Sequence, residues 1–267
     1  GPTMPEMLVK AMLVEGVHFS DAFQPQEIGH KALAVNLSDL AAMGARPLGF
    51  VCALALPRGS ASQRRALALG RGMARLAREL SGPLVGGNMT RASELSVTIT
   101  ALGSVPLGKA LRRSGARPGD ELWVSGELGG ASAGLEPGAR PSLRRRQRRP
   151  QPRLGLGLAL RGLATACLDL SDGLLQDLGH LLDASGVGCT LDCTALPIQP
   201  GATLTHALAG GEDYELLFSA PKAHHATLSR LARRTVPLTH IGTLTASRTL
   251  ALQGAPSHLG HRGWQHF

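Results

Sequence analysis

Residues 168–182 read LDLSDGLLQDLGHLL, and this stretch joins the end of a strand pattern to the start of a helix pattern. Two acids, Asp169 and Asp172, flank Ser171 directly before the apolar, helix-like run. A structural explanation is local: as a helix N-cap, Ser171 or Asp172 accepts N–H bonds from the first turn. A functional explanation requires acids from elsewhere in the chain to converge on the same place.

The rest of the chain mixes helix and strand patterns. Helical spacing of apolar residues predicts helices, whereas short apolar or alternating β-branched runs predict strands. The helix predictions cover 30–45, 62–80 and 222–234, and the strand predictions cover 48–57, 95–105, 186–197 and 212–221. Two further segments, 111–126 and 154–171, end in a strand. The mixture indicates an α/β or α+β fold. A break near residues 106–108 divides it into domains 1–107 and 108–267.

The composition is that of a globular protein. With 267 residues and 43% hydrophobic content, the chain is long enough for two domains with buried cores. No apolar run reaches the ~18–20 residues that cross a bilayer, and no signal peptide opens the chain, so we expect no membrane partner. The four cysteines include Cys189 and Cys193, whose spacing matches neither a redox motif nor a zinc knuckle. We therefore expect reduced thiols and a cytoplasmic location.

The formal net charge of +9 favours anionic partners, and much of it lies in the arginine-rich segment 140–153. No aromatic residue interleaves these arginines, whereas nucleic-acid surfaces usually add stacking side chains or a recognisable module. We therefore interpret the segment as a solvated basic loop or helix start and expect no nucleic-acid partner. An electrostatic grip on phosphates, or a nucleic-acid-binding role for this segment, is the alternative.

Further acids lie where the predicted backbone turns or a new element begins. Asp39 lies inside NLSDLAAMGA, and Glu212 and Asp213 follow a glycine pair. Taken singly, Asp39 is explained as an acid on a helix surface. Taken with the two junction acids, these residues indicate converging carboxylates. Mg²⁺ prefers hard oxygen ligands and keeps several waters, so acids on separate loops are able to hold it against phosphates.

Six motifs follow one another along the chain. They are MLVEGVHF (12–19), HKALAVNLSDLAAMGARP (30–47), VGGNMTR (85–91), LRRSGARPGD (111–120), LDLSDGLLQDLGHLL (168–182) and AGGEDYELLF (209–218). On these motifs the chain resembles the thiamine-monophosphate kinases, which belong to the ATP-binding superfamily that includes aminoimidazole ribonucleotide synthetase. The resemblance covers nearly the whole chain, and the motifs GVHF, NLSDLAAMGA and GGEDYELLF are together highly specific.

The resemblance implies a two-domain aminoimidazole ribonucleotide synthetase-like fold. In that fold an N-terminal sheet domain binds ATP and Mg²⁺ and forms a homodimer, and a C-terminal α+β domain completes the active site. The implied reaction is ATP-dependent phosphorylation of thiamine monophosphate to thiamine diphosphate, with Mg²⁺ as cofactor and ATP as co-substrate. Such phosphoryl transfer needs positioning and charge neutralisation more than covalent chemistry from the protein.

The resemblance also implies roles for individual residues. The implied Mg²⁺ ligands are Asp39, Asp169 and Asp172, the implied ATP contacts are Gly87, Asn88, Arg113 and Ser171, and the implied substrate contacts are His18, Glu212 and Trp264. No residue is expected to act on the reacting atoms beyond positioning metal and phosphate. The structural alternatives are a core histidine at His18, a surface charge at Arg113 and simple packing at Trp264.

Several positions depart from the pattern of the family. Acids of the family are replaced at Ala11, Asn88, Gly130 and Gln265. Fewer carboxylates predict weaker Mg²⁺ binding, and we expect weakened kinase activity. The alternative is a non-catalytic relative that binds nucleotide or thiamine phosphate.

Overall fold

A computed structural model describes residues 6–59, 62–80 and 82–254. The first half of the chain forms a four-stranded sheet with two helices. Its strands are β1 (Glu6–Val14), β2 (Arg46–Leu56), β3 (Leu84–Arg91) and β4 (Ser96–Ser104), in the spatial order β1-β4-β2-β3. Its helices are α1 (Pro25–Ala42) and α2 (Ser62–Leu80). The predicted helices at 30–45 and 62–80 and the predicted strands at 48–57 and 95–105 are confirmed.

The second half forms a mostly antiparallel sheet of six strands. These are β5 (Glu121–Ser125), β6 (Ala166–Asp169), β7 (Gly188–Asp192), β8 (Leu216–Ala220), β9 (Leu238–Thr245) and β10 (Leu250–Gln253), in the order β10-β7-β9-β5-β8-β6. The helices are α3 (Gly130–Ala133), α4 (Pro141–Arg148), α5 (Leu154–Leu160), α6 (Leu174–Ser185), α7 (Leu204–Ala209) and α8 (His225–Ala232). The mixed fold class predicted from the sequence is confirmed.

Helix α1 is the central element of the fold. It begins after Gln24, which forms a capping box with Glu27, and Pro25 occupies its first turn, where a missing N–H costs nothing. Almost every side chain of α1 is buried, as expected for a helix that is apolar on all sides. Close packing requires glycine at Gly72 of α2, where a Cβ would lie 2.0 Å from the Gln26 carbonyl oxygen.

Two hydrophobic cores meet at the second sheet. One face of that sheet, which includes Trp123 and Phe218, packs with α1, α2 and the first sheet. The opposite face, which includes Val124 and Leu217, packs against α6. Helix α1 is thereby held between the two sheets, and side chains near its C-terminal end reach residues of the second half.

One side of the first sheet is left uncovered. We call it the open face, defined by Leu8, Met12, Val51 and Leu102, and the first three of these are 70%, 52% and 40% exposed. Every side chain of the neighbouring edge strand β3 is exposed as well. None of the helices in the described part of the chain combines the length and apolar character that a membrane crossing requires.

Candidate active site

A cleft of about 710 Å³ lies between α1 and the second half of the chain. Its walls come from β1, the loop after β1, α1, the junction between β6 and α6, and the loop before β8. The lining includes four groups of predicted site residues in one cavity: His18, Asp39, the junction residues Asp169, Ser171 and Asp172, and Glu212. Asp39 and Asp169 are 130 positions apart in the sequence, so the fold is what brings the two residues together.

The three predicted metal ligands, Asp39, Asp169 and Asp172, form an acidic cluster in this cleft. Burial raises the pKa of the Asp39 carboxyl to about 7, and the charge of Asp169 adds to the rise. Burial also raises the pKa of Asp169, and Asp172 contributes in the same direction. The positive charge of the exposed Arg113 opposes both rises. Three carboxylates that line one cleft supply the hard oxygen ligands that Mg²⁺ prefers, and a divalent cation would offset their charges, so this donor set fits Mg²⁺.

The start of helix α6 explains why the junction acids are available to the cleft. The N-cap is Gly173, with a φ of +122° that favours glycine. The buried Asp177 reaches back and accepts the N–H groups of Asp172 and Gly173, at 3.0 and 3.1 Å. These two bonds satisfy the amides that directly precede the first residue of the helix, Leu174. The N-cap explanation of Ser171 and Asp172 is wrong, because the N-cap residue is Gly173.

Glu212 and Tyr214 are held in an unusual backbone conformation. Their φ angles are +69° and +50°, in the left-handed region that non-glycine residues rarely adopt. Such strain persists only where the surroundings impose it, and it concentrates at functional sites. The Glu212 carboxylate is fixed by the Lys31 ammonium at 2.6 Å, and the Gln147 amide lies at 3.4 Å from its other oxygen.

The neighbouring Asp213 has a structural task. Its two carboxylate oxygens accept the backbone N–H groups of Gly129 and Ala131, at 2.6 and 3.2 Å. Burial raises the pKa of Asp213 to about 6. These bonds tie the loop before β8 to the start of α3. Gly210 is needed for the same contact, because a Cβ there would lie 2.1 Å from the Ser132 hydroxyl.

The arginine-rich segment 140–153 contains helix α4 and is solvated only in part, which corrects the prediction of a solvated face: Arg140, Arg144 and Arg145 are exposed, whereas Arg146 and Arg153 are not. Arg146 and Arg153 both pair with Glu215, whose side chain is fully buried. The Arg146 contact measures 2.8 Å, and the Arg153 Nε lies 2.7 Å from Glu215 Oε2. The reason is long-range: the carboxylate that attracts these arginines lies more than sixty residues further along the chain.

Two predicted ATP contacts, Gly87 and Asn88, lie outside this cleft. Both are on β3, at the opposite edge of the first sheet from β1. Strand register places Asn88 in one row with Ala53, Thr98 and Met12, on the side away from α1. Their contact with nucleotide stays a prediction. Trp264 and Gln265 lie outside the described residues.

Ala11 and Gly130, two further positions at which the family pattern led us to expect an acid, have different surroundings. Ala11 lines the cleft, and its N–H donates to the Asn36 side chain at 2.9 Å. An acid at this position would join the cluster around Asp39. Gly130 lies in α3, where a Cβ would be 3.1 Å from the Gln199 side chain.

Sequence reasoning missed several residues around the cleft. They are Phe23, Lys31, Gln147, Asp177 and Tyr214. The sequence held a signal for Lys31, because a lone lysine in an apolar helix pattern is rarely buried without a partner. No local pattern marked Gln147, since the surrounding arginines indicated an exposed segment.

The sequence is similar to those of known proteins along most of its length. The sequence matches the model of the AIR synthase related protein N-terminal domain over residues 6–105 and that of the C-terminal domain over residues 117–255. It is 40% identical to the thiamine-monophosphate kinase of Salmonella typhimurium over 277 aligned positions, which cover 96% of this chain and 84% of that protein.

Solved structures are also similar. The thiamine-monophosphate kinase of Stenotrophomonas maltophilia K279a matches with a TM-score of 0.89 at 40% identity, over 95% of this chain and 86% of that one. A structure described as AaThiL complexed with AMPPCP and TMP matches with a TM-score of 0.88 at 29% identity, over 99% of this chain and 88% of that one.

Proposed function

We propose that this chain, which belongs to the thiamine-monophosphate kinase family of AIR synthase related proteins, transfers the γ-phosphoryl group of ATP to thiamine monophosphate. One observation carries the proposal: the acids Asp39, Asp169 and Asp172 share a single cleft with His18 and Glu212. A relative of nearly the same fold is described as a complex with AMPPCP and TMP, which supports both reactants. The product is thiamine diphosphate.

The three aspartates of the cleft are proposed to position ATP. Asp39, Asp169 and Asp172 would hold Mg²⁺, which when bound would offset the charge of two phosphate-bearing reactants. Arg113, whose charge lowers the pKa of Asp39 and Asp169, is proposed to contact the ATP phosphates. Ser171 lines the cleft between the two junction acids and is proposed to contact ATP as well.

A second group of residues, His18, Glu212 and Trp264, is proposed to position thiamine monophosphate. His18 and Glu212 both line the cleft, and Trp264 is proposed to contribute from outside the described residues. The His18 Nδ1 accepts the Val14 N–H at 3.1 Å, so the neutral ring carries its proton on Nε2. Glu212 supplies a carboxylate for donors on the substrate, and Phe23 and Tyr214 supply an apolar wall.

We also propose that the replaced acids weaken this activity. Ala11 brings no carboxylate to a cleft that holds three aspartates, and Asn88 brings no charge to β3. The non-catalytic alternative is less well supported, because the three remaining acids and the substrate-side residues occupy one cavity. A cytoplasmic location is part of the proposal, and four buried free thiols support it.

The test is a direct assay of product. Thiamine diphosphate formed from ATP and thiamine monophosphate is measured by chromatography over a range of Mg²⁺ concentrations. We expect product that depends on Mg²⁺ and on both substrates, at or below the ~1–100 per second that is usual for kinases. Tight binding of both substrates without product at any Mg²⁺ concentration would establish the non-catalytic alternative instead.

Magnesium affinity is expected to fall as the pH drops through about 7. The raised pKa of Asp39 keeps its carboxyl protonated below that pH, whereas a metal ligand has to be ionised. Binding at about pH 6 should therefore release more protons than binding at about pH 8, and Asp39 contributes to the difference. Calorimetry in buffers of different ionisation enthalpy measures this release. In Asp39→Asn the difference between the two pH values should be smaller than in the parent, and equal release in the parent at both would contradict the prediction.

The homodimer is proposed to form through the open face. Leu8 and Val51 expose apolar side chains there. The edge strand β3, which pairs with β2 beside Val51, offers an unpaired strand edge. Light scattering should give about twice the chain mass of 27.8 kDa at micromolar concentration. Leu8→Asp should shift the protein to monomer, whereas Leu67→Asp, on the exposed side of α2, should leave the dimer intact. A monomeric parent protein would contradict the proposed homodimer.

A further inference from the structure

We propose that Lys31 is a positioning residue for thiamine monophosphate, holding the Glu212 carboxylate and the His18 loop in one arrangement. The inference rests on the proposed function, because it assigns to Lys31 the orientation of two groups on the substrate side of that site. Lys31 itself is in α1, behind the wall of the cleft that His18 and Glu212 form.

One ammonium group joins three distant parts of the chain. Lys31 Nζ lies 2.6 Å from Glu212 Oε1, and it donates to the His18 carbonyl oxygen at 3.1 Å. The first contact crosses from α1 to the loop before β8, and the second crosses to the loop after β1. A single side chain thus sets the distance between two cleft residues that come from different halves of the fold.

The burial of this pair makes the arrangement specific. The Lys31 side chain is completely buried, whereas Glu212 remains 25% exposed on the cleft side. Removing a charge from water costs several kcal/mol, and a close carboxylate with good geometry offsets that cost. The exposed edge of Glu212 is left for a donor on the substrate.

The backbone at Glu212 gives a second, independent reason for a positioning role. Its positive φ is unfavourable for a residue with a Cβ, so a contact has to hold it. The ion pair to Lys31 supplies such a contact from α1. The Phe23 ring, whose centroid lies 5.5 Å from Lys31 Nζ, fills the space beside the pair. Loss of the ammonium should free the Glu212 side chain, whereas the loop itself stays tied to α3 through Asp213.

The experiment compares Lys31→Met with Lys222→Met, which removes an exposed lysine from the start of the α8 region. We expect Lys31→Met to raise the KM for thiamine monophosphate at least about tenfold. The KM for ATP should stay within about twofold, because Lys31 contacts the substrate-side residues Glu212 and His18. Lys222→Met should leave both constants and the midpoint of thermal unfolding at the parent values.

A double variant separates positioning from folding. Lys31→Met alone leaves the Glu212 carboxylate without its buried counter-charge, whereas Lys31→Met with Glu212→Gln removes both charges. If Lys31 acts through Glu212, the rise in KM for thiamine monophosphate in the double variant should be smaller than the product of the two single effects, because only the contact of Lys31 with the His18 carbonyl is then still to be lost. Additive effects, or a Lys31→Met variant that lowers kcat alone and spares the KM, would overturn the inference.

The outcome for the parent enzyme keeps the two claims apart. If the parent forms thiamine diphosphate and Lys31→Met leaves the KM for thiamine monophosphate unchanged, the positioning role is wrong and the proposed function is still supported. A parent that neither forms product nor binds thiamine monophosphate in calorimetry overturns the proposed function. A parent that binds without turnover tests the positioning role through the dissociation constant, where the same tenfold selective loss is expected.

Discussion

Asp169→Asn is expected to lower thiamine diphosphate formation at least about 100-fold while making the metal-free protein more stable. Asp169 is the last residue of β6, is almost fully buried, and lines the cleft with Asp39 and Asp172. As a proposed metal ligand, its carboxylate would hold the cation that offsets the charge of the phosphates. Asparagine keeps the shape of the side chain and removes its negative charge.

The gain in stability has the same origin as the loss of activity. Burial and neighbouring carboxylates raise the pKa of Asp169, which means that its ionised form is unfavourable in the folded protein without metal. Removing one of three like charges should therefore raise the free energy of unfolding by about 1 kcal/mol at about pH 8. Thermal unfolding in the presence of a chelator measures it. Bound Mg²⁺ should reverse the order, because the parent binds the ion more tightly.

The control for this variant is Asp183→Asn, which removes an exposed acid from helix α6 of the same half. It should leave both turnover and stability close to those of the parent. Turnover of Asp169→Asn within a few-fold of the parent would show that the metal is held elsewhere. The stability gain would then report only relief of repulsion among buried acids.

Glu215→Ala is expected to lower the free energy of unfolding by about 3–5 kcal/mol. The side chain is completely buried, and it accepts from Arg146, Arg153 and the Ser125 hydroxyl, the last at 2.6 Å. Alanine would leave two guanidinium groups facing an empty acceptor site. Since the total stability of a domain is about 5–15 kcal/mol, this loss should lower the unfolding midpoint by about 10 °C.

The effect should extend to the site. Glu215 follows the strained segment of Glu212 and Tyr214 directly, so loosening its anchor should also raise the KM for thiamine monophosphate. Glu79→Ala is the matched control, because its pair with Arg75 at 3.4 Å is exposed and should contribute little. Denaturant or thermal unfolding of both variants measures the loss of unfolding free energy in each. A Glu215→Ala protein as stable as the Glu79→Ala protein would mean that the buried cluster adds nothing to folding.

Local patterns were sufficient for the elements that carry strong periodicity. Apolar spacing predicted α1 and α2, and alternating or apolar runs predicted β2 and β4, because each such pattern reports which face of an element is buried. The motif resemblance identified the family and named the acids that share the cleft. By contrast, β3 was not predicted, since its sequence LVGGNMTR is glycine-rich and all of its side chains are exposed.

The contacts that complete the site follow from the fold. The arginines of 140–153 lie more than sixty residues from Glu215, and Lys31 pairs with Glu212 across most of the chain. A sequence pattern reports the burial of an element but not the identity of the group that faces a given charge from another element. Such pairs form because a buried ion needs a counter-charge, and which one it meets is set by how α1 packs between the two sheets.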